Sequence, residues 1–285
     1  MFQKLLRVTA VAALLISTTF PILSRAAEDS GPIRIYALDG GHIEIANMGP
    51  FTDTGENEGK ASSLVASAFL IRHPKGDLLW DSGLGDAIAD QKDGIALAPG
   101  FRATVSTKLV DQLQRAGVAP SDIDFLAFSH MHGDHTGNAN AFPLATWLLN
   151  QRELDYALSN PTPFGVQPPT FTSYKAVNKQ FVSGDHDVFG DGKVRIIKAP
   201  GHTPGHQVLV VSLAKAGTIV LSGDLYHTRL NAKNKLVPSF NASRADTLAS
   251  FDRIDRILKN THGRLIIQHA EEDFATLPRP PLFIQ

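Results

Sequence analysis

Residues 123–135 of the chain read IDFLAFSHMHGDH, an apolar run that leads directly into a cluster of histidine and aspartate side chains. The run 123–128 is typical of a buried β-strand, so the polar cluster is expected in the loop at the carboxyl end of that strand. Histidine and carboxylate side chains are the usual ligands of transition metals. A solvated polar turn is the alternative, but this many ligand-type side chains within six positions favour a metal site. The four candidates are His130, His132, Asp134 and His135.

Further ligand-type residues follow other short apolar strands downstream. His202 comes after the predicted strand 194–198, Asp224 after the apolar run 219–221, and His269 after a last short strand. Because ligands generally bind where the carboxyl ends of strands meet at one edge of a sheet, we expect one site assembled from several loops. The chain contains no cysteine, so every metal ligand must be histidine, aspartate or glutamate.

Apolar periodicity divides the rest of the chain into short strands with helices between them. Residues 33–38 and 42–46, separated by an Asp-Gly-Gly sequence, predict a β-hairpin. Residues 104–116 and the amphipathic segment 246–259 predict helices. Strands dominate each half of the chain, which indicates an α/β fold with two sheets and helices outside them, in four layers.

Two segments that contain glycine and proline, residues 84–108 and 161–170, are predicted to be loops. The first segment is expected to form one wall of a substrate pocket, together with Met48 and Phe51. A flexible surface loop is the alternative interpretation for this wall.

The joint pattern of residues 130–135, Gly201-His202, Gly223-Asp224 and His269, with Asp81-Ser82-Gly83 upstream, resembles the ordered motifs of the metallo-β-lactamase superfamily. The resemblance covers essentially the whole mature chain. It implies an α/β (α+β) fold, the four-layer αβ/βα sandwich, and a centre of two Zn²⁺ ions, other divalent transition metals being alternatives. Two ions that share a hydroxide provide a nucleophile at neutral pH. The resemblance implies His130, His132 and His202 on one ion, Asp134, His135 and His269 on the second, and Asp224 bridging both.

Within the superfamily, Asp224 is similar to the aspartate of lactonases, glyoxalase II-like thioesterases and organophosphate hydrolases. The spacing of the ligands and the segment GHTPGHQ at 201–207 resemble N-acyl-homoserine lactonases. This similarity implies a metal-dependent hydrolase that opens the lactone ester of N-acyl-homoserine lactones by means of the bridging hydroxide. Hydrolysis of these lactones is known as quorum quenching. Asp134 would pass a proton to the leaving alkoxide.

The same similarity implies that Tyr226 stabilises the substrate oxyanion. Tyr226 follows Asp224 by two positions, whereas the best-known members of the family place the tyrosine three positions after. A Tyr226 that is packed with its hydroxyl at the surface is the alternative interpretation. His227 is equally close to Asp224 and takes either this role or none. Asp81 is expected to orient a ligating imidazole, and His206 to bond the turn in which it lies.

Two rival functions are considered. The first is another exported hydrolase on the same site: a phosphotriesterase, a thioesterase or a β-lactamase. Asp224 argues against the last, because β-lactam-hydrolysing members usually lack a bridging carboxylate at this position. The second rival is a non-enzymatic metal-binding or lactone-sequestering protein. All seven expected ligand positions are filled, which favours the enzyme.

The N-terminal residues 1–26 predict a cleaved export signal, which leaves a domain over 27–285. Lys4 and Arg7 precede a largely apolar run, and Ser24 and Ala26 provide the small residues before a cleavage site. An uncleaved anchor is the alternative. We therefore expect a periplasmic or secreted protein with no membrane span in the mature chain.

The partner indicated by these patterns is a small-molecule ester or lactone. The net charge is −1 and no block of basic residues is present, so no nucleic-acid partner is expected. The sequence is compatible with either a monomer or a homodimer.

Overall fold

The computed structural model describes residues 31–285, so the predicted export signal lies outside the described residues. Two sheets form the centre of the fold. The larger has eight strands in the order β4-β5-β1-β2-β3-β6-β7-β8. Its strands are β1 (Arg34–Ile45), β2 (Ser62–His73), β3 (Gly76–Trp80), β4 (Ile95–Ala98), β5 (Phe101–Thr104), β6 (Phe125–Ala127), β7 (Thr146–Asn150) and β8 (Lys179–Val182).

The smaller sheet has five strands in the order β13-β12-β11-β10-β9. Its strands are β9 (His186–Asp187), β10 (Val194–Lys198), β11 (Gln207–Leu213), β12 (Gly217–Leu221) and β13 (Arg264–Ile266). The α-helices are α1 (Leu109–Arg115), α2 (Gly133–Thr136), α3 (Gln151–Ala157), α4 (Arg229–Asn234), α5 (Arg244–Thr261) and α6 (Glu271–Ala275). Among the described residues, no helix is long and apolar enough to cross a membrane.

The two sheets pack face to face, and helices cover their outer faces. Side chains alternate between the faces of a strand. In β11, Leu209 therefore packs between the sheets, whereas Val208 packs in the cluster that includes Phe251 of α5. In β7, Leu148 faces the space between the sheets and Trp147 faces the opposite side. Both faces of each sheet are buried, which gives the four layers that the sequence predicts.

Strand direction brings several loops to one edge of this sandwich. In the larger sheet, β6 runs parallel to β3, and in the smaller sheet β13 runs parallel to β12. Strand β10 also points the same way as β12, because both are antiparallel to β11 between them. The carboxyl ends of these strands therefore lie on common edges, and the ligand-type residues follow those ends.

Three local predictions are wrong. The segment 84–108 is not a loop throughout, because it contains the paired strands β4 and β5. Residues 34–45 form the single strand β1 with an irregularity between Asp39 and His42, and not a hairpin. The Gly40 backbone lies against Gly83, where an added Cβ would come within 2.5 Å of the Gly83 Cα. Glycine is therefore used here for close approach and not for a turn. The predicted helix 104–116 begins only at Leu109, because the residues before it belong to strand β5 and its exit.

Candidate metal centre

All seven predicted ligands meet at one place, although they come from four separate segments of the chain. Each side chain offers a ligand atom, and the atoms of each group lie within 4.8 Å of one another. Every member is buried except Asp134, which is half-buried. The first group is His130, His132, His202 and Asp224, and the second is Asp134, His135 and His269.

Asp224 lies between the two groups. Its Oδ1 is 3.0 Å from Nε2 of His135 and 2.9 Å from Nε2 of His269. Its Oδ2 is 3.3 Å from Nε2 of His202 and 3.7 Å from Nε2 of His130. One carboxylate oxygen therefore faces each group, which is the arrangement that a bridging ligand requires.

Each of four histidines is oriented by a hydrogen bond from its outer Nδ1–H. The acceptors are Ser129 Oγ for His130 at 3.0 Å, Asp81 Oδ2 for His135 at 3.0 Å, Asn241 Oδ1 for His202 at 3.0 Å, and the Val65 carbonyl for His269 at 2.7 Å. Such bonds fix the ring and its tautomer, so that the inner nitrogen is left for a metal ion. The expected role of Asp81 agrees with this geometry.

His206 is not one of the seven ligands, but both of its ring nitrogens form hydrogen bonds beside them. Its Nδ1–H donates to the Ala199 carbonyl at 2.9 Å, and its Nε2 accepts the backbone N–H of Asp224 at 2.9 Å. The ring therefore ties the loop after β10 to the residue that faces both groups. This contact agrees with the structural role expected for His206.

Burial and charge divide the histidines into two sets. Burial lowers the pKa of His130 and His202 far below the ordinary value, and lowers that of His132 to about 4. Burial also acts against the protonated form of His135 and His269, but Asp224 and the neighbouring carboxylates outweigh it and raise both pKa values. Burial would raise the pKa of Asp224, yet the surrounding imidazoles hold it well below its usual range.

The donor set fits two tetrahedral cations. A zinc ion with ligands at about 2.0–2.1 Å spaces them about 3.3 Å apart. The inner nitrogens of His202 and His130 are 3.1 Å apart, and those of His135 and His269 are 3.3 Å apart. Oδ1 of Asp224 is buried and accepts no hydrogen bond, although buried oxygens are normally satisfied. A cation on each side of this carboxylate would satisfy it.

Glu153 of α3, which the sequence analysis missed, joins the two loops that carry the three-histidine group. It is buried, and it accepts backbone N–H groups from both loops. A Cβ added at Gly205 would lie 2.6 Å from the Glu153 Cβ, so the helix and the loop are in close contact. The sequence signal was weak: a glutamate at the start of a helix normally faces solvent.

A cavity of about 260 Å³ opens beside the two groups, and it is lined mainly by apolar side chains. Leu97 and Phe101 of the β4–β5 hairpin contribute to it, so part of the segment 84–108 does form a wall. Phe51 also lines it, whereas Met48 lines a neighbouring cavity.

The loop 161–170 forms another wall of the cavity and rests on a metal ligand. The Gly133 N–H donates to the Gly165 carbonyl at 2.9 Å, and a Cβ added at Gly165 would lie 2.9 Å from the His132 ring. Phe164 projects from this loop at the cavity, and 59% of its surface is exposed. The substrate wall and the ligand His132 are therefore in direct contact.

The structure corrects the expectation for Tyr226. Its ring stacks on Phe251 at 4.7 Å, and its hydroxyl donates to Asp255 at 3.2 Å, behind the smaller sheet. The backbone at Tyr226 is extended, with φ −133° and ψ 132°. Successive side chains of an extended chain point in opposite directions, so Tyr226 faces away and His227 faces the cavity.

The fold and the site together define a four-layer sandwich with two adjacent groups of candidate metal ligands at its edge. The family model of the metallo-beta-lactamase superfamily matches residues 63–269. The chain belongs to this superfamily, as its motifs predict. The prediction of an enzyme, a metal-dependent hydrolase, is confirmed at the level of the family and its curated relatives.

The curated relatives include the N-acyl homoserine lactonase AttM of Azorhizobium caulinodans, which is 27% identical over 270 residues, 87% of this chain and 97% of the relative. The fold is similar to that of an N-acyl homoserine lactone hydrolase solved with N-hexanoyl-L-homoserine at its catalytic metal centre. That likeness has a TM-score of 0.77 at 21% identity and covers 88% of this chain and 98% of the other. The fold is also similar to that of AidC, a dizinc quorum-quenching lactonase. This likeness has a TM-score of 0.65 at 21% identity and covers 85% of this chain and 88% of AidC.

Proposed function

We propose that the protein is a two-zinc hydrolase that opens the ester bond of a lactone ring, with N-acyl-homoserine lactones as its substrates. The observation that carries the proposal is the position of Asp224, whose two oxygens face two separate groups of ligands. The choice of substrate is supported by curated relatives named as N-acyl homoserine lactonases, which the chain matches over nearly their whole length. The dizinc neighbour AidC supports the choice of metal.

The residues of the chain divide the work. When bound, two zinc ions would supply Lewis-acid chemistry and would activate water for hydrolysis at neutral pH. The seven ligands would hold the ions, and Asp224, whose two oxygens face the two groups, would be shared between them. Asp134 is the most exposed of the ligands, with 18% of its side chain accessible, and its Oδ2 lies 3.5 Å from Nε2 of His269. It is therefore placed to carry a proton to the alkoxide that leaves when the ring opens.

The apolar cavity suits a substrate with a polar ring and an apolar tail. Its apolar lining includes Ile43, Ile45, Leu97, Phe101, Phe164 and Phe240. These walls exclude water around an acyl chain, which stabilises binding in proportion to the apolar area buried. The lactone ring then lies at the ligand groups.

An assay of four substrate classes tests this function. The zinc-loaded protein is given an N-hexanoyl-homoserine lactone, a β-lactam, a thioester and a phosphotriester under the same conditions. We expect the lactone to be hydrolysed with kcat/KM on the order of 10⁴ M⁻¹s⁻¹ or higher. Faster hydrolysis of any of the other three would contradict the proposal and identify the rival.

We also propose that residues 1–26 are removed on export and that the mature protein works in the periplasm or outside the cell. The support is the arrangement of charge, apolar run and small residues in this segment. N-terminal sequencing of the protein from fractionated cells tests it. A mature chain that still begins at Met1 would contradict cleavage.

A further inference from the structure

We propose that His227 donates a hydrogen bond from Nε2–H to the carbonyl oxygen of the substrate, the role that the family resemblance gives to Tyr226. This inference rests on the proposed lactone hydrolysis. It assigns the stabilisation of the oxyanion to a histidine at the position, three after Asp224, where the best-known family members carry the tyrosine.

The cavity offers few other donors for this role. Among its lining residues, the polar side chains outside the seven ligands are His227 and Gln167. Gln167 is exposed, whereas only 2% of the surface of His227 is accessible. A donor removed from water interacts more strongly with developing charge than one that water screens. His227 is therefore the better placed of the two.

The position of His227 is next to the bridging carboxylate. Its Nε2 lies 3.1 Å from Oδ2 of Asp224, and the same oxygen lies 3.3 Å from Nε2 of His202. His227 thus borders the three-histidine side of the centre, where a zinc ion held by His130, His132 and His202 would polarise the substrate carbonyl. A substrate oxygen on that side comes close to Nε2 of His227.

The hydrogen-bonding pattern places the proton on the correct nitrogen. A carboxylate only accepts hydrogen bonds, so Asp224 favours the tautomer of His227 that carries the proton on Nε2. In the proposed complex this one N–H is shared between Oδ2 of Asp224 and the substrate oxygen, as a three-centre hydrogen bond. Nδ1 of His227 is buried and has no hydrogen-bond partner among the described residues. No acceptor there competes for the proton, and the Nε2–H tautomer is favoured.

Neighbouring rings hold this imidazole in one orientation. The His227 ring stacks on His269 with centroids 5.6 Å apart and planes within 7°. Phe51 and Phe240 contact it edge to face at 5.1 Å and 5.6 Å. A donor fixed in advance needs no reorganisation when negative charge develops on the carbonyl oxygen.

Three variants of the zinc-loaded protein test the proposal. His227→Phe keeps an aromatic ring between Phe51 and Phe240 but removes the donor. His227→Gln replaces the ring by an amide donor of similar reach. Tyr226→Phe is the matched control, because it removes a hydroxyl that lies outside the cavity.

We measure kcat, KM, metal content by mass spectrometry, melting temperature, and calorimetric binding of the product N-hexanoyl-homoserine. For His227→Phe we expect kcat to fall about 10²- to 10³-fold with two zinc ions retained, as on loss of an oxyanion donor. His227→Gln should recover about tenfold of that loss, and Tyr226→Phe should stay within about threefold of the wild type. Product binding should change little in all three, since the bond strengthens chiefly in the transition state.

Each other outcome overturns the assignment. A His227→Phe protein with normal kcat and two zinc ions would show that His227 is not a donor. Loss of zinc from the same variant would show that His227 acts through Asp224, as a positioning residue. If the wild type hydrolyses no lactone at all, the proposed function itself falls and this assignment falls with it. Should the phenylalanine lower the melting temperature, His227→Leu repeats the test with a smaller side chain.

Discussion

The carboxylate of Glu153 accepts the backbone N–H of Met131 at 2.9 Å, in the middle of the loop that carries His130 and His132. Its other oxygen accepts the Gly205 N–H at 2.9 Å, in the loop that carries His202. One buried side chain therefore sets the distance between two loops that supply the three-histidine group.

Glu153→Gln should destabilise the protein. The amide NH₂ group would face one of the two backbone N–H groups, so that this N–H would lose its hydrogen-bond acceptor. Leaving a buried donor unsatisfied costs about 1–3 kcal/mol. Urea denaturation measures the loss in the free energy of unfolding. Asp155→Asn is the matched control, since Asp155 lies on the same helix and is exposed. Equal midpoints for the two variants would contradict the role of Glu153.

Asp224→Ala should lower metal content and activity together. Both oxygens of Asp224 face ligand groups, so its removal takes one donor from each ion. We expect at most one tightly bound zinc ion per chain and a loss of activity of at least about 100-fold. Metal analysis and the lactone assay measure the two effects, with the exposed Asp252→Asn as the control. Two full zinc equivalents with normal turnover would refute the bridging assignment.

Asp81→Asn should weaken the second metal site and preserve the fold. Oδ2 of Asp81 accepts the Nδ1–H of His135, and its Oδ1 accepts the backbone N–H of Ser129 at 2.6 Å. Asparagine retains one oxygen and loses the negative charge, so we expect a loss of about 10- to 100-fold in zinc affinity. Competition with a chelator measures the affinity. An unchanged affinity would mean that His135 is oriented by other contacts.

Phe164→Ala should change the preference for acyl-chain length. Phe164 lines the cavity, and its ring centroid lies 5.7 Å from that of Phe240. Its exposed surface is available to an apolar acyl chain. We expect kcat/KM to fall about tenfold for a decanoyl lactone and to change little for a butanoyl lactone, because only the longer chain buries area on this ring. Phe181→Ala removes an exposed phenylalanine that does not line this cavity and serves as the control. A uniform effect on both lactones would contradict the contact.

His42 should make stability depend on pH. Its hydrogen bond to Asp39, assisted by Glu271 and opposed by burial, raises the pKa of His42 from 6.5 to about 9. A raised folded-state pKa stabilises the fold fully below about pH 6.5, and this contribution is lost as pH rises through about 9. His42→Gln should therefore lower the melting temperature more at pH 6 than at pH 10. Equal effects at the two pH values would rule out this linkage.

The metal ligands were predictable from sequence because ligand chemistry restricts the residue types, and strand ends restrict their location. His202 and His269 were found in this way although they lie far from residues 130–135 in the chain. The four layers followed from the alternation of apolar residues and from the family motifs. Both kinds of inference depend on patterns that one sequence contains.

Other features depend on contacts between distant residues. The Asp-Gly-Gly sequence at 39–41 is a typical turn signal, but Gly40 is required by its contact with Gly83, a residue 43 positions away. The positions of Tyr226 and His227 depend on whether the short helical turn Gly223–Leu225 ends one residue earlier or later. Propensity does not fix that boundary, so the sequence left both residues open.

The contact between Gly165 and His132 has a consequence for anyone who redesigns this protein. A graft that lengthens or shortens the loop 161–170 would move the ring of His132, a candidate metal ligand, so we expect a gain in substrate range to come with weaker metal retention. Changes to the side chain of Phe164 leave the Gly165 backbone in place and avoid that trade-off. In directed evolution for new substrates, we therefore expect side-chain substitutions in the loop 161–170 to be selected before insertions that change its length.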